Sequence, residues 1–222
     1  MATAPLEEAS LTHPILTPKT SRGERTRQKI LDAAEQDIGR RGYSDASIST
    51  ITQEAAVAQG TFYLYFRSKE DVLRELVERM GRRLRHHLTL ATAGLKDRLE
   101  IEKRGLHAFL SFVRDNPNLY RVVAESQFVD ESAYRRYYYD FAENYRQVLS
   151  EAQGEGQLSP GDAELRAWAL MGISDFIGRR YALWDREASI EAATEAAFAF
   201  ITNGIAPVDR PSKVNKAEGR PS

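Results

Sequence analysis

The 222-residue sequence contains no cysteine. This removes disulfide frameworks, thiolate zinc sites and cysteine nucleophiles together, and suits a chain kept in the reducing cytoplasm. Long apolar runs are missing as well. The longest, AWALMGISDFIG at 167–178, is too short to span a bilayer and carries Asp175 inside it, so no membrane partner is expected. The first twenty residues hold Glu7, Glu8 and three prolines without a sustained apolar stretch, which fails as a secretory signal; a disordered leader over 1–20 is the expectation. Histidine is scarce, with four in all. His86 and His87 are adjacent, so on a helix they point about 100° apart, and neither has a carboxylate three or four residues on. The motifs G-x-S-x-G and HExxH and a glycine-rich phosphate loop are all absent. These gaps leave no catalytic residue, metal ligand or cofactor to nominate, and the expectation is a protein that is not an enzyme.

What is present is helical. Hydrophobic residues make up 42% of the chain and charged residues 28%, a balance that supports a packed core rather than disorder. No segment alternates apolar and polar residues with β-branched enrichment, so the expected fold is all-α. Ile30, Ala33, Ala34 and Ile38 make one apolar stripe, stopped by Gly42. Ser47 caps a short second helix carrying Ile48, Ile51 and Ala55, a segment too brief to stand alone. Ser68 and Asp71 open a long helix with Val72, Leu73, Leu76, Val77 and Met80. Longer helices follow around 99–113, 119–128, 132–153, 163–184 and 190–205. Asn116-Pro117 breaks the first of these, and Pro160 sits where the fourth could begin. The tail over 207–222 is expected to be disordered.

Charge is nearly balanced at −1, but unevenly placed. Between residues 19 and 90 there are 14 lysines and arginines against 10 acids, with Arg22, Arg25, Arg27 and Lys29 clustered at the start. A basic entry of this kind hints at a polyanion partner. Next to it lies QGTFYLYFRSKED at 59–71, in which aromatic rings alternate with polar groups. On a helix starting near Gln59, Phe62 and Phe66 share one face while Gln59, Thr61 and Tyr63 lie on others. The phenylalanines would anchor the helix. The amide and hydroxyls would then face outward toward phosphates and base edges, with Gly60 allowing a close backbone approach. Two short helices separated by a few residues have helix-turn-helix spacing.

Residues 22–70, RGERTRQKILDAAEQDIGRRGYSDASISTITQEAAVAQGTFYLYFRSKE, resemble the DNA-binding domain of the TetR family of bacterial transcriptional regulators. The resemblance implies a homodimer on double-stranded operator DNA, joined through its last two long helices, with a larger helical body that binds a small-molecule effector. It assigns phosphate contacts to Ser47, Tyr63, Tyr65 and Lys69, places Ser49, Gln59 and Thr61 toward the major groove, and matches Arg22 and Arg25 to the basic entry of the first helix. Two departures stand out: Ala56 replaces the usual glycine of the turn, and Ala58 replaces the usual serine, leaving the third helix without a side-chain cap. Thr52 also stands where alanine is common.

The expected division is therefore a leader over 1–20, a three-helix helix-turn-helix domain over 21–68, an effector and dimerisation domain over 69–206, and a tail over 207–222. In the body, Phe112, Tyr120, Phe128, Tyr138, Phe141 and Trp168 supply aromatic area for a ligand, and Asp175 with Arg179, four apart on an apolar helix, supplies a polar fixture. Tyr137, Tyr138 and Tyr139 spread over roughly 200° of one helix, so they cannot all face one core. The stretches FVRDNPNLYRVVAESQFVD and YRRYYYDFAENY resemble regulators of fatty or aromatic acyl-CoA metabolism, which implies an acyl-CoA effector with Arg135, Arg136 and Arg180 at the pocket mouth. Repression relieved by ligand is the expected mode. The alternatives are a helical enzyme and a protein-binding module, and only the regulator predicts duplex binding that falls steeply with salt.

Overall fold

The structure, a computed structural model, describes residues 20–203. The expected tail and all but the last residue of the expected leader lie outside them. Every regular element among the described residues is helical, as the lack of alternating segments required.

The first three helices are α1 (Ser21–Arg41), α2 (Ile48–Glu54) and α3 (Gln59–Tyr65). Thr20 caps α1, its hydroxyl accepting the Gly23 N–H at 3.1 Å. Ser47 and Thr50 form a reciprocal capping box on α2, which satisfies two amides that a two-turn helix would otherwise leave bare. Ala58 gives α3 no side-chain hydrogen bond. Ala56 adopts φ +53°, a left-handed conformation in which an L side chain crowds its own carbonyl. Ala56→Gly should therefore stabilise the protein by about 1 kcal/mol, less the entropy glycine adds to the unfolded chain. The check is a higher thermal midpoint, by at most about 2–4 °C.

The body comprises α4 (Lys69–Thr92), α5 (Arg98–Asp115), α6 (Pro117–Val129), α7 (Glu131–Gly154), α8 (Ala163–Gly178) and α9 (Ile190–Asn203). Asp162, not Pro160, begins α8, by accepting the Leu165 N–H at 3.0 Å, and Asp130 caps α7 through Ala133 N at 2.9 Å. The helix expected to run to Trp184 leaves the α form at Gly178, and Arg179–Trp184 wind as a π-helix. The widened turn has an outside partner: Arg114 of α5 donates to the carbonyls of Tyr181 at 2.8 Å and Ala188 at 2.6 Å. A guanidinium from another helix thus takes acceptors that the regular ladder leaves over.

One continuous core joins the two parts. Ile30, Ile38, Ile51, Phe62 and Phe66 pack into the same buried cluster as Val72 and Leu76 of α4 and Leu119 and Val122 of α6. That shared burial is what stabilises helices as short as α2 and α3. α6 crosses α1 closely, and a side chain at Gly39 would collide with Asn118. Glycine is needed there for approach rather than for a special dihedral.

Candidate functional site

Two sites emerge, one on the face of α3 and one inside the body. On α3, Phe62 is fully buried and packs on Phe66 at 5.6 Å between ring centres, while Arg27 lies over the Phe66 ring at 5.1 Å. Tyr63, whose ring meets that of Phe62 edge-on at 5.5 Å, is 47% exposed, and Gln59 and Gly60 are also exposed. Nothing lies within 4 Å of where a Gly60 side chain would start. Thr61 and Tyr65 are half-buried, and Ser49, Arg22 and Arg25 are exposed. The inward phenylalanines and the outward amide and phenol thus fall on opposite sides of seven residues.

Two of the nominated side chains are already engaged. Ser47 uses its hydroxyl to cap Thr50 N at 3.0 Å. Lys69 turns inward, its Nζ donating to the carbonyls of Tyr43 at 2.6 Å and Ala46 at 2.7 Å while lying 4.0 Å from the Tyr43 ring centre. The turn between α1 and α2 leaves those carbonyls without helical partners, and the ammonium fills the gap. Lys69 therefore fastens the start of α4 to that turn instead of standing free toward a phosphate. Arg67, exposed in the turn between α3 and α4, escaped the sequence reading because no periodicity marks a side chain in a turn.

The second site is a cavity of about 500 Å³ enclosed by α4 to α8, the start of the π-helix and Ile201 of α9. Leu84, Leu88, Leu106, Val123 and Met171 give it apolar walls. Of the residues nominated from sequence, Tyr120, Tyr138, Phe141, Asp175 and Arg179 line it together. The Tyr120 hydroxyl donates to Asp175, and Arg179 Nε holds the same carboxylate at 2.9 Å. Burial, reinforced by the Asp175 charge, pushes the Tyr120 and Tyr138 phenols well above their usual range, so both remain neutral donors.

Three nominations are corrected. Phe112 is core, packed on His87 at 5.4 Å. Phe128 is 87% exposed at the end of α6 and does not line the cavity. Trp168 packs against Tyr139 at 5.4 Å and does not line the cavity. The arginines expected at the mouth are elsewhere too: Arg135 pairs with Glu131 at 3.5 Å, Arg180 pairs with Asp185 at 3.1 Å, and Arg136 borders a smaller cleft. The arginines on the cavity are Arg85, Arg98 and Arg179. Arg98 Nε donates to Glu102 at 2.8 Å, and Glu102 also accepts from the Tyr145 hydroxyl. This second polar cluster was missed, although Arg98 and Glu102 stand at the i,i+4 spacing of a helical ion pair. Of the consecutive tyrosines, Tyr137 and Tyr138 line the cavity and Tyr139 is exposed.

Residues 30–76 match the family model described as bacterial regulatory proteins, tetR family. Over 187 residues the chain is 28% identical to the fatty acid metabolism regulator protein of Bacillus subtilis strain 168, covering 80% of this chain and 94% of that protein. Among solved structures, the fatty acid degradation regulator FadR of Bacillus halodurans superposes with a TM-score of 0.73 at 24% identity, covering 81% of this chain and 96% of that one. FadR of Bacillus subtilis in complex with stearoyl-CoA superposes with a TM-score of 0.72 at 23% identity, covering 81% and 99%. At those identities the superpositions speak for the fold. Among the described residues no helix is long and apolar enough to cross a membrane. With the family model lying across the helix-turn-helix, and a named regulator aligned over four-fifths of the chain at 28% identity, this chain is similar to TetR-family transcriptional regulators in its first helices and, more distantly, through its body.

Proposed function

We propose that this regulator binds a near-palindromic operator as a homodimer, represses from it, and is released by an amphipathic effector of the acyl-CoA class held in the body cavity. The head over 21–68 reads DNA and the body from Lys69 onward senses and dimerises. The observation that carries this reading is the arrangement of α6 between the two sites. Tyr120, Val123 and Ala124 of α6 line the cavity, while its other side grips α1. Arg121 donates to the carbonyls of Gly39 and Arg40, both at 3.2 Å, Glu125 accepts the Tyr43 N–H, and Asn118 donates to Gln36 at 2.8 Å. Tyr43 in turn holds Lys69 and, through its hydroxyl, Glu70 at 2.8 Å. The turn after α1 is thus gripped by α6 on one side and α4 on the other, and both helices wall the cavity. A ligand that shifts either one moves the recognition helices and changes DNA affinity by its differential contacts, typically by a factor of about 5–150.

The effector class is supported by the size and apolar lining of the cavity and by the stearoyl-CoA bound to the FadR of Bacillus subtilis that shares this fold. The dimer is supported by α8, where Leu165, Ala169, Gly172 and Phe176 stand exposed at i, i+4, i+7 and i+11, a single uncovered apolar stripe. Exposed Ala192, Ala196, Ala199 and Phe200 of α9 extend it. Two-fold symmetry then places two α3 helices in successive major grooves.

The test is footprinting on DNA upstream of the protein's own gene, with and without acyl-CoA esters. Protection of an inverted repeat that falls with salt and is lost on adding ester is the expected result; duplex binding with no sequence preference sinks the reading. Gln59→Ala should relax base choice at one symmetric position, a change of about 1–3 kcal/mol in discrimination, because glutamine pairs with two groups on an adenine edge. Tyr63→Phe should weaken binding to cognate and scrambled duplexes alike, as loss of a phosphate contact does. Equal losses on both duplexes for both variants would refute that division of roles.

A further inference from the structure

Three guanidinium groups reach the cavity, and two of them are neutralised in place. Arg98 is paired with Glu102, and Arg179 with Asp175. Arg85 has no ion pair with any carboxylate among the described residues, and is held by other means. Its guanidinium lies over the Phe141 ring, 5.2 Å from the centre, and folds back over Gly81. A Cβ at Gly81 would sit 3.1 Å from Arg85 Nη1 and 3.5 Å from the Tyr137 ring. Glycine in the middle of a long helix is unfavourable relative to alanine. Its presence at position 81, buried and one turn before Arg85, is explained by the room it leaves for that group.

The location matters as much as the lack of a partner. Arg85 and Tyr137 line the apolar cavity and also a smaller cleft of about 260 Å³ between α4 and α7, whose rim includes Arg82 and Arg136. Arg82 is committed to Glu75 and Glu78, and Asp140 stands on the same rim, so the cleft alone is not strongly basic. Arg85 is the cation common to the walls of both. A cation resting on an aromatic face and lacking a counter-ion gains most from an anion that arrives with the ligand.

Resting on the effector reading above, we infer that Arg85 is the anchor for an anionic oxygen group, carboxylate or phosphate, attached to the apolar chain that fills the cavity. The chain lies among Leu88, Leu106 and Phe141, and the anion sits beside Arg85 and Tyr137, with any larger headgroup directed toward the side of the cleft. Because Arg85 belongs to α4, the same helix that Lys69 fastens to the head, the anion is held by an element that carries the signal. A neutral ligand of equal length would fill the cavity without engaging this cation.

The experiment uses the full-length protein, with affinities for dodecanoate, dodecanoyl-CoA and methyl dodecanoate measured by competition against a fluorescent fatty-acid probe. Wild type should bind at least one anionic ligand about 10- to 100-fold tighter than the neutral ester, the range expected of a charge-assisted hydrogen bond. Arg85→Gln should bring that ligand down to the level of the ester and leave ester binding and the thermal midpoint unchanged; Arg85→Lys should retain part of the preference. Gly81→Ala, which crowds the guanidinium without removing it, should show the same selective loss in weaker form. Whichever anion loses its advantage identifies the source of the group, free acid or thioester phosphate. An unchanged preference in Arg85→Gln, or equal loss for anion and ester, overturns the anchor while leaving the effector reading intact. Failure of wild type to bind any of the three ligands overturns both.

Discussion

Phe62→Ala should lower stability by about 3–5 kcal/mol, the cost of emptying a buried aromatic site, and should abolish operator binding through loss of structure. Phe62 is fully buried, with Tyr63 edge-on at 5.5 Å and Phe66 at 5.6 Å. It is the only buried residue on α3. A seven-residue helix has no stability of its own, so removing this ring releases α3 from α2 and α1 together. For a chain of this size the thermal midpoint should fall by roughly 6–20 °C. Tyr63→Phe is the matched control: it keeps the ring that packs on Phe62 and should cost within about 0.5 kcal/mol yet still weaken DNA binding. An unchanged midpoint in Phe62→Ala, followed by circular dichroism at 222 nm, would contradict the inward placement of the ring.

Phe176→Glu should yield a monomer. Phe176 is 70% exposed, at the end of the stripe formed by Leu165, Ala169 and Gly172. No atom lies within 4 Å of the position a Gly172 side chain would occupy, which leaves space for a second backbone to approach. A charge placed on a desolvated aromatic anchor costs about 2–4 kcal/mol of association, or roughly 30- to 1000-fold in dimer dissociation constant. Sedimentation velocity at micromolar concentration reads the mass directly. Operator affinity should fall with it, because two half-sites bound independently lose the effective concentration that the dimer provides. A dimer that persists unchanged in Phe176→Glu would place the interface elsewhere. Arg179 lies between this face and the cavity, 6.0 Å from the Phe176 ring centre and 5.6 Å from that of Tyr120. The effect of the variant on ligand affinity therefore reports whether the two surfaces are coupled.

The helices, their caps and the division of α3 into an inner and an outer side were legible in the chain because each depends on residues within about four positions of one another. Ser47 with Thr50, Ser68 with Asp71, and Phe62 with Phe66 are local pairs whose geometry the helical repeat dictates. Asp175 and Arg179 were legible for the same reason. The errors share the opposite cause. Lys69 meets carbonyls 23 and 26 residues away, and Arg114 meets the π turn at a carbonyl 67 residues away. Arg85 has no ion pair among the described residues, and its guanidinium lies instead over Phe141 of α7. Among the sixteen aromatic residues of the body, sequence spacing tells which share a helix face but not which face meets the cavity, and so Phe112, Phe128 and Trp168 were misplaced. Fold class and the outward side of α3 followed from short-range chemistry written into the chain itself. The cavity, its charged anchors and the α6 link to the head arose only when helices distant in sequence packed together, since a side chain's partner across a bundle is chosen by packing and not by position along the chain.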